Sequence, residues 1–301
     1  MVKEKHFHKS VLKREVLEAL NIKKDDIYID ATVGGGGHTK AILELGGKVL
    51  ATDIDPEAVR YVAEIFSIPL EEKDGRLSGK GKRLILTQGN FANLARTARE
   101  FGVGEAAGVL FDLGVSSHQL DSAERGFSFS KDAPLDMRMD QNLSVTAADL
   151  INGLNEGELY ELFSKYGEES NSRRIARAVI RSRIERKIET TKDLVETIEH
   201  VVGGRGKIHP ATKVFQALRI AVNDELNNLK KGLEEATSLL KKGGRLVVIS
   251  FHSLEDRLVK NFFRQREDLQ VLTQRPIVPT REEILENPRA RSAKMRVAEK
   301  Q

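Results

Sequence analysis

Glycine and aspartate residues between positions 30 and 53 form a pattern that could bind a small molecule. Four consecutive glycines, 34–37, follow an apolar run and precede a helical pattern. Asp30 comes just before them, and Asp53 lies at the end of the next apolar run. A glycine turn between a strand and a helix exposes backbone N–H groups that bind anionic groups, whereas a nearby carboxylate attracts cations. The pattern therefore predicts a ligand that carries both kinds of group.

Four interpretations of such a turn compete, three with a ligand and one without. A phosphate-binding P-loop needs Gly-Lys followed by Ser or Thr, and no Gly-Lys pair in the sequence is followed by either. A dinucleotide-binding turn is closer, because Gly34, Gly36 and Thr39 approach the G-x-G-x-x-G pattern. S-adenosylmethionine fits better than NAD, because it has a sulfonium, an ammonium and a ribose but no phosphate for Asp30 to repel. A tight turn without a ligand is the remaining alternative.

Two carboxylates and one aromatic residue after the turn have separate predicted roles. Asp55 precedes Pro56, which is typical of a helix N-cap with proline at the first helical position. Asp53 ends a strand and is predicted to bind the ribose hydroxyls. Phe91 follows the third apolar run and is predicted either to lie beside an adenine ring or to pack in the core.

Five apolar runs predict the strands of a largely parallel sheet. The first four alternate with helical patterns, which is typical of βαβ units in a doubly wound, Rossmann-like α/β fold. The polar, glycine-rich segment 74–82 is predicted to be a surface loop. The predicted strands cover residues 27–32, 47–55, 83–90, 107–115 and 244–252.

The interval between the fourth and fifth strands is much longer than a βαβ unit of about 30 residues needs. Residues 117–210 carry several helical patterns and no clear strand, so they are predicted to form a small inserted α-helical domain. Residues 211–242 are predicted to form one long helix that returns the chain to the sheet. The sheet domain then consists of residues 1–116 and 211–301.

Composition excludes several functional classes for the 301-residue chain. The sequence has no cysteine, which excludes disulfides, thiolate catalysis and zinc–thiolate sites. Its seven histidines show no metal-ligand spacing, so no metal is predicted. Ser253 and Asp256 are predicted to cap a helix rather than to form a catalytic pair. No apolar run is long enough for a membrane span and no signal peptide is recognisable, so a cytoplasmic protein is expected. No pattern specifies an oligomeric state.

Two basic segments are candidates for contact with nucleic acid. Residues 172–187 contain one glutamate among many basic residues, including Arg173, Arg177 and Arg181. Charge of a single sign favours contact with phosphates, and a solvated helix face is the alternative. The segment 287–296 adds Arg289 and Arg291, together with Lys294 and Arg296.

Long motifs along nearly the whole chain closely resemble those of the bacterial MraW/RsmH-type methyltransferases. The resemblance implies a class I methyltransferase sheet with an inserted helical domain. It also implies methylation of the N4 amino group of a cytidine in the decoding region of 16S ribosomal RNA, within the small ribosomal subunit, with S-adenosylmethionine as donor. The motifs are HKSVL (8–12), GGGGHT (34–39), ATDIDP (51–56), FDLGVSSHQLDSAERGFSFSKDAPLDMRMD (111–140), HPATKVFQALRIAVNDEL (209–226), ISFHSLEDRLVK (249–260) and NPRARSAKMR (287–296).

The resemblance also places the cofactor. The glycine turn pattern alone indicates Gly34 as a cofactor contact, and the resemblance adds further residues from the turn and from other parts of the chain. The family's cofactor positions fall on Gly36, Gly37, His38, Asp53, Phe91, Asp112 and Gln119.

Asp112 stands at the end of the fourth predicted strand, where the target amine would meet the methyl donor. A cytosine amino group is a poor nucleophile, because its lone pair is delocalised, so a hydrogen-bond acceptor must increase its electron density. Many amino-methyltransferases place Asp or Asn, two prolines and an aromatic residue here, and this chain keeps only the aspartate. Asp112 is predicted to orient the amine, to contact the cofactor, or both. Phe127 and Phe129 are candidates to stack on the base, and Asp136 and Asp140 are alternative acceptors.

Overall fold

The computed structural model describes residues 10–116, 119–120, 122–203 and 209–301 and divides the chain into two units. The first unit holds the described residues up to Ser116 and from Leu226 onwards, and the second holds those in between. The second unit thus ends at Glu225 and not at the predicted residue 210. The first two residues of the HKSVL motif lie outside the described residues. No helix in the described ranges is long and apolar enough to cross a bilayer.

A sheet of nine strands forms the centre of the first unit, counted over the described residues. Five of these strands lie close to the predicted apolar runs, and the other four, two at each end of the sheet, are not predicted from the sequence. The strands are β1 (Ile27–Asp30), β2 (Lys48–Asp53), β3 (Glu71–Lys73), β4 (Arg76–Lys80), β5 (Leu84–Gln88), β6 (Ala106–Asp112), β7 (Leu240–Ser250), β8 (Leu269–Val271) and β9 (Lys294–Lys300).

β1 lies at the point in the sheet from which successive strands are added first on one side and then on the other. The order is β3-β4-β5-β2-β1-β6-β7-β9-β8, and the five strands from β5 to β7 are parallel. β1 therefore has β2 on one side and β6 on the other. Open α/β sheets bind ligands at the carboxyl ends of the strands at such a point. The predicted Rossmann-like, largely parallel α/β sheet is confirmed.

Helices cover both faces of this sheet, which explains why its central strands are continuously apolar. α1, α2 and α3 pack on one face, and α4, α10 and α11 pack on the other. The helices that precede the second unit are α1 (Lys13–Leu20), α2 (Gly37–Glu44), α3 (Pro56–Ile65) and α4 (Leu94–Glu100). Those that follow it are α10 (Glu225–Leu239), α11 (Ser253–Gln265) and α12 (Arg281–Glu286).

The second unit is helical. Three of its helices begin with a capping box, in which a polar N-cap residue and an acidic residue three positions later satisfy each other's backbone N–H groups. Its buried residues include Phe163, Val179 and Leu218. Its helices are α5 (Ala147–Gly153), α6 (Glu156–Lys165), α7 (Ser172–Glu185), α8 (Thr191–Val202) and α9 (Ala211–Asn223).

Two predicted elements differ from the structure. The predicted long helix over 211–242 is two helices, because Asp224 adopts a left-handed conformation with φ of 49° between α9 and α10. α9 packs on α5 and α6, which explains why the second unit extends past residue 210. The predicted loop 74–82 contains β4, which pairs with β3 through a turn at Asp74 and Gly75. Positive φ angles at both turn residues match the twist of a hairpin.

Candidate active site

The glycine turn joins β1 to α2 and leaves the start of that helix without a side-chain cap. Gly36 is the N-cap residue with φ of 76°, a conformation that residues with a Cβ atom rarely adopt. A Cβ atom at Gly37 would lie 2.1 Å from Ser10 Oγ, so a side chain here would force Ser10 to move. The first N–H groups of α2 are therefore suited to bind oxygen atoms of a ligand.

Asp53 is attached to this turn by hydrogen bonds. Its Oδ2 accepts from the backbone N–H of Gly34 at 2.9 Å, and its Oδ1 accepts from that of Asp55 at 3.0 Å. Burial raises the pKa of Asp53 from 3.8 to about 7, although both hydrogen bonds oppose the shift. Asp55 caps α3 as predicted, accepting from the N–H of Glu57 at 3.0 Å. Asp53 is half-buried, whereas Asp55 is only 2% exposed, so Asp53 is the more accessible of the two carboxylates.

Asp30 has a structural role in the turn. Its side chain is 1% exposed, and its oxygens accept hydrogen bonds from Thr39 Oγ1 at 2.6 Å and from the N–H of Thr32 at 3.3 Å. Burial raises the pKa of Asp30. The carboxylate of Asp30 therefore links the end of β1 to α2. It is bonded to protein groups, whereas the sequence suggests that it faces the ligand.

His38 and Asp112 come together next to the glycine turn. His38 Nε2 lies 3.5 Å from Asp112 Oδ2, and the two side chains are only 6% and 11% exposed. The backbone N–H of Asp112 donates to Thr32 Oγ1 at 2.7 Å, which fixes the end of β6 beside β1. Within the described part of the chain, both nitrogens of His38 and Oδ1 of Asp112 are buried without a hydrogen-bond partner. Sequence reasoning selected both residues but did not predict that they touch.

Phe91 begins a short 3₁₀ helix after β5 and is half-buried. Its ring meets that of Phe111 edge to face, with 5.4 Å between the centroids. A Cβ atom at Gly232 on α10 would lie 2.6 Å from Phe91 Cδ2, so α10 passes close to the ring. The Phe91 ring therefore packs partly against the core, and its role in cofactor binding remains a proposal.

Contacts within the inserted unit explain the positions of most of the alternative candidates for stacking on the base or accepting from the amine. Phe127 is buried, and the Phe129 ring lies 4.7 Å from that of His209. Arg138 holds Asp136 with two bonds of 2.8 Å. Although burial opposes it, these bonds keep the pKa of Asp136 below its usual range.

Two further candidates of the inserted unit have different environments. Asp140 accepts from the N–H of Asn142 at 2.9 Å. Gln119 is buried in this unit, and its cofactor role also remains a proposal.

The predicted RNA-contact arginines of α7 are exposed, but their surroundings differ. Arg173 lies over the ring of Tyr160, 5.0 Å from its centroid. Arg177 Nε forms an ion pair with Glu156 Oε1 at 2.9 Å, so α6 adds acidic charge to α7, which carries one glutamate of its own. Arg181 has no acidic partner within 4.0 Å among the described residues.

A groove of about 600 Å³ runs between α7 and α8, and basic side chains dominate its walls. Its acidic members are Glu185, Asp193 and Glu196, and Asp193 is paired with Arg186. Cationic charge therefore exceeds acidic charge along the groove. The basic side chains are Arg174, Arg177, Arg181, Arg186 and Lys187.

The C-terminal basic segment is divided between surface and core. Arg289 and Arg291 lie exposed on a 3₁₀ helix, as contact with RNA requires. Arg296 is instead buried in β9, and its Nε donates to Asp256 Oδ1 at 2.6 Å. Asp256 therefore anchors β9 and does not cap α11. The cap is His252, one residue before the predicted Ser253, in a capping box with Glu255.

Comparison with known proteins decides among the predicted ligands. A family model described as the MraW methylase family matches residues 5–301. The chain belongs to this family. Ribosomal RNA small subunit methyltransferase H of Geobacter sulfurreducens is 47% identical over 318 residues, which cover 97% of this chain and 98% of that protein. The enzyme of the same name from Dehalococcoides mccartyi is 46% identical over 315 residues, covering 97% and 86%.

A solved rRNA methylase from Streptococcus thermophilus aligns over 96% of this chain and 93% of its own. Its TM-score of 0.43 and identity of 12% are too low to carry a conclusion. Family membership alone confirms the resemblance seen in the motifs. The protein is a methyltransferase, and its cofactor is S-adenosylmethionine.

The residues of the turn fit this cofactor. Its carboxylate can accept from uncapped N–H groups of α2, and its ribose and ammonium can donate to carboxylates such as Asp53. The buried polar atoms of His38 and Asp112 that lack partners lie on the same elements, and a bound ligand could supply their hydrogen bonds. The crowding that a Cβ atom at Gly37 would cause is consistent with close approach of the backbone.

Proposed function

We propose that the protein methylates the N4 amino group of a cytidine in the decoding region of 16S ribosomal RNA, on the small ribosomal subunit in the cytoplasm. Relatives named ribosomal RNA small subunit methyltransferase H, with 44–47% identity along nearly the whole chain, support ribosomal RNA as the substrate. The N4 position is supported by the buried carboxylate oxygen of Asp112 at the end of β6. That oxygen is the single observation that carries the amine assignment.

We further propose the cofactor contacts that the resemblance implies. Backbone groups of Gly34, Gly36 and Gly37 bind the methionine end of S-adenosylmethionine, and Asp53 binds its ribose. When bound, the cofactor supplies an electrophilic methyl group. The remaining proposed contacts are His38, Phe91, Asp112 and Gln119.

Asp112 supplies what an exocyclic amine lacks as a nucleophile. A carboxylate that accepts an N–H bond increases the electron density on nitrogen and balances the positive charge that grows as the N–C bond forms. Oδ1 is suited to this role, because it is buried without a partner in the described structure and its low-dielectric surroundings strengthen such a bond. Transfer would break the bond between the methyl group and the donor's sulfur and leave the demethylated donor. The nitrogen then loses one proton, which Oδ1 accepts and passes to solvent, to give neutral N4-methylcytidine.

RNA is held by the exposed basic residues of both units in this proposal. Arg173, Arg177 and Arg181 contact phosphates from α7, while Arg289 and Arg291 do so from the first unit. A target base must leave its stack to reach a methyl donor, at a cost of a few kcal/mol. Contacts with the backbone of the RNA help to offset that cost without reading the sequence.

Methyl transfer to isolated ribosomal subunits tests the proposal. Small subunits that lack the modification are incubated with the protein and a radioactive methyl donor, and the labelled nucleotide is mapped and identified after digestion. We expect one labelled N4-methylcytidine in the decoding region. Label on a ring carbon or a ribose would contradict the amine assignment. Protection from heat unfolding by S-adenosylmethionine or its demethylated product, and not by NAD, is expected in parallel.

A further inference from the structure

Backbone contacts with a cofactor do not explain why the side chain of His38 is buried where it is. The imidazole is 5% exposed, and neither ring nitrogen has a hydrogen-bond partner among the described residues. Buried polar atoms almost always have partners, and exceptions cluster where a ligand or a catalytic rearrangement supplies one. The Oδ1 atom of Asp112 is in the same condition.

Carboxylates surround the imidazole. Asp112 at the end of β6 lies 3.5 Å from Nε2, and His38 also interacts electrostatically with Asp30 at the end of β1. Asp30 already accepts from Thr39 and Thr32, and among the described residues only Asp112 brings a carboxylate oxygen within 4.0 Å of the imidazole. Asp112 Oδ2 is therefore the acceptor that the arrangement leaves for His38.

The separation of 3.5 Å is an ion-pair distance, and it is longer than the roughly 2.9 Å of a well-formed N–H···O bond. Hydrogen bonds between catalytic groups often shorten only when the reacting complex forms. His38 is on the first turn of α2 and Asp112 ends β6, so both groups sit on regular elements whose backbones are fixed by their own hydrogen bonds.

We propose that His38 is a positioning residue for Asp112: the imidazole carries its proton on Nε2, donates it to Oδ2, and so holds Oδ1 ready to accept from the substrate amine. The inference rests on the proposed function of Asp112. In this proposal the cofactor contact implied for position 38 is made by the His38 backbone, and the side chain has a separate role. One oxygen of the carboxylate is fixed by the protein, and the other serves the substrate.

The pairing is tested first without any reaction. Long-range ¹⁵N–¹H spectra of the full chain report which ring nitrogen of a histidine carries the proton. We expect His38 as the Nε2–H tautomer in the wild type and a mixture of tautomers in Asp112→Ala. The signals of exposed His200 serve as the internal control. A His38 tautomer that is the same in both proteins overturns the pairing.

Kinetics then test the positioning role. Single-turnover methylation of small subunits is measured at saturating donor for the wild type, His38→Leu and His38→Gln, together with donor affinity by calorimetry. Leu removes the donor and keeps a similar size, whereas Gln can place an N–H near Nε2. We expect His38→Leu to lower the rate about 10–100-fold, which is at or below the lower end of the loss from removing direct acid–base assistance, because His38 acts through Asp112. Donor affinity should stay within threefold. His38→Gln should recover at least tenfold of the loss.

A double-mutant cycle separates action through Asp112 from a general packing effect. In an Asp112→Ala background, His38→Leu should change the rate by less than threefold, because no side-chain oxygen is left for the imidazole to orient. Multiplicative losses, equal losses for Leu and Gln, or a rate that extra donor restores would each overturn the proposal.

If His38→Leu does not fold, His38→Asn takes its place, since its shorter amide cannot reach Oδ2. A wild type that does not methylate cytidine N4 refutes the proposed function alone, and the spectra still decide the pairing.

Discussion

The Asp53 carboxylate accepts a hydrogen bond from the Gly34 backbone, with 2.9 Å between Oδ2 and the nitrogen. Its second oxygen accepts from the N–H of Asp55, the residue that caps α3. Asp53 therefore joins the end of β2 to the glycine turn and to the next helix. A side chain proposed to bind the ribose also fixes the shape of the turn proposed to bind the methionine end, so the two halves of the donor site are coupled.

Asp53→Asn should weaken S-adenosylmethionine binding by about 1–3 kcal/mol, the scale of losing a hydrogen bond to a charged group. Isothermal titration calorimetry measures the change. Asp74→Asn is the matched control, because Asp74 is exposed in the turn between β3 and β4 and Asn tolerates its positive φ. Unchanged affinity in Asp53→Asn would remove this residue from the donor site.

The raised pKa of Asp53 predicts a pH dependence of stability. Burial raises this pKa from 3.8 to about 7, so the folded state binds the proton more tightly than the unfolded state. The contribution of Asp53 to the free energy of unfolding is then largest below about pH 4 and is lost as the pH rises to about 7. Asp53→Asn abolishes this loss.

Urea unfolding of the donor-free protein at several pH values measures the effect. We expect the stability difference between Asp53→Asn and the wild type to shift in favour of the variant by on the order of 2 kcal/mol between pH 4.5 and 8. Asp74→Asn should show no such trend. A difference that is independent of pH would mean that Asp53 is ionised in the folded protein throughout this range.

Neutralising Arg173, Arg177 and Arg181 together should lower RNA affinity and flatten its salt dependence. Each lost phosphate contact reduces the slope of log K against log salt by about 0.9 for duplex or 0.7 for single-stranded RNA. Fluorescence anisotropy over a salt series measures the slope, and donor affinity should not change. The matched control neutralises Arg60, Arg96 and Arg99 on α3 and α4, which removes the same charge from the first unit. Equal slopes in the two triple variants would show that α7 only adds net charge.

The sequence predicts the parallel strands well because helices cover both faces of each strand. Such a strand is then recognisable as a continuous apolar run. The β3–β4 hairpin escapes prediction for the opposite reason. Glu71, Glu72 and Lys73 are exposed at the edge of the sheet, where no apolar alternation is needed. The break at Asp224 is missed because a left-handed aspartate has no strong local signature, whereas glycine in the same place would have one.

Site residues on local motifs are predicted better than contacts between distant segments. Asp55 is recognisable as a cap because its partner is two residues away. The approach of His38 to Asp112 depends on β6 pairing with β1, and no spacing in the sequence encodes that register. The same limit applies to α7, where Glu156 on a neighbouring helix neutralises an arginine that appears unpaired in the sequence.

Gly37→Ala should destabilise the protein and weaken donor binding, because the new Cβ atom would lie 2.1 Å from Ser10 Oγ. Overpacking of this kind costs about 1–3 kcal/mol. Ser10→Ala removes the clashing atom and leaves Cβ of residue 10 at 3.4 Å, so the double variant should recover at least half of the lost stability. Chemical unfolding of the two single variants and the double variant measures this. Additive effects in the double variant would contradict the predicted clash.

Asp112→Asn separates catalysis from cofactor binding, because asparagine keeps an acceptor oxygen and similar size but loses the charge. If Asp112 polarises the amine, the single-turnover rate at saturating donor should fall ~10²-fold or more, the usual scale of such assistance, while donor affinity changes little. Asp140→Asn is the control, since Asp140 is the alternative acceptor and should be dispensable. A rate near wild type in Asp112→Asn, or a loss confined to Asp140→Asn, would exclude Asp112 as the amine acceptor. A loss that saturating donor restores would assign Asp112 to the cofactor alone.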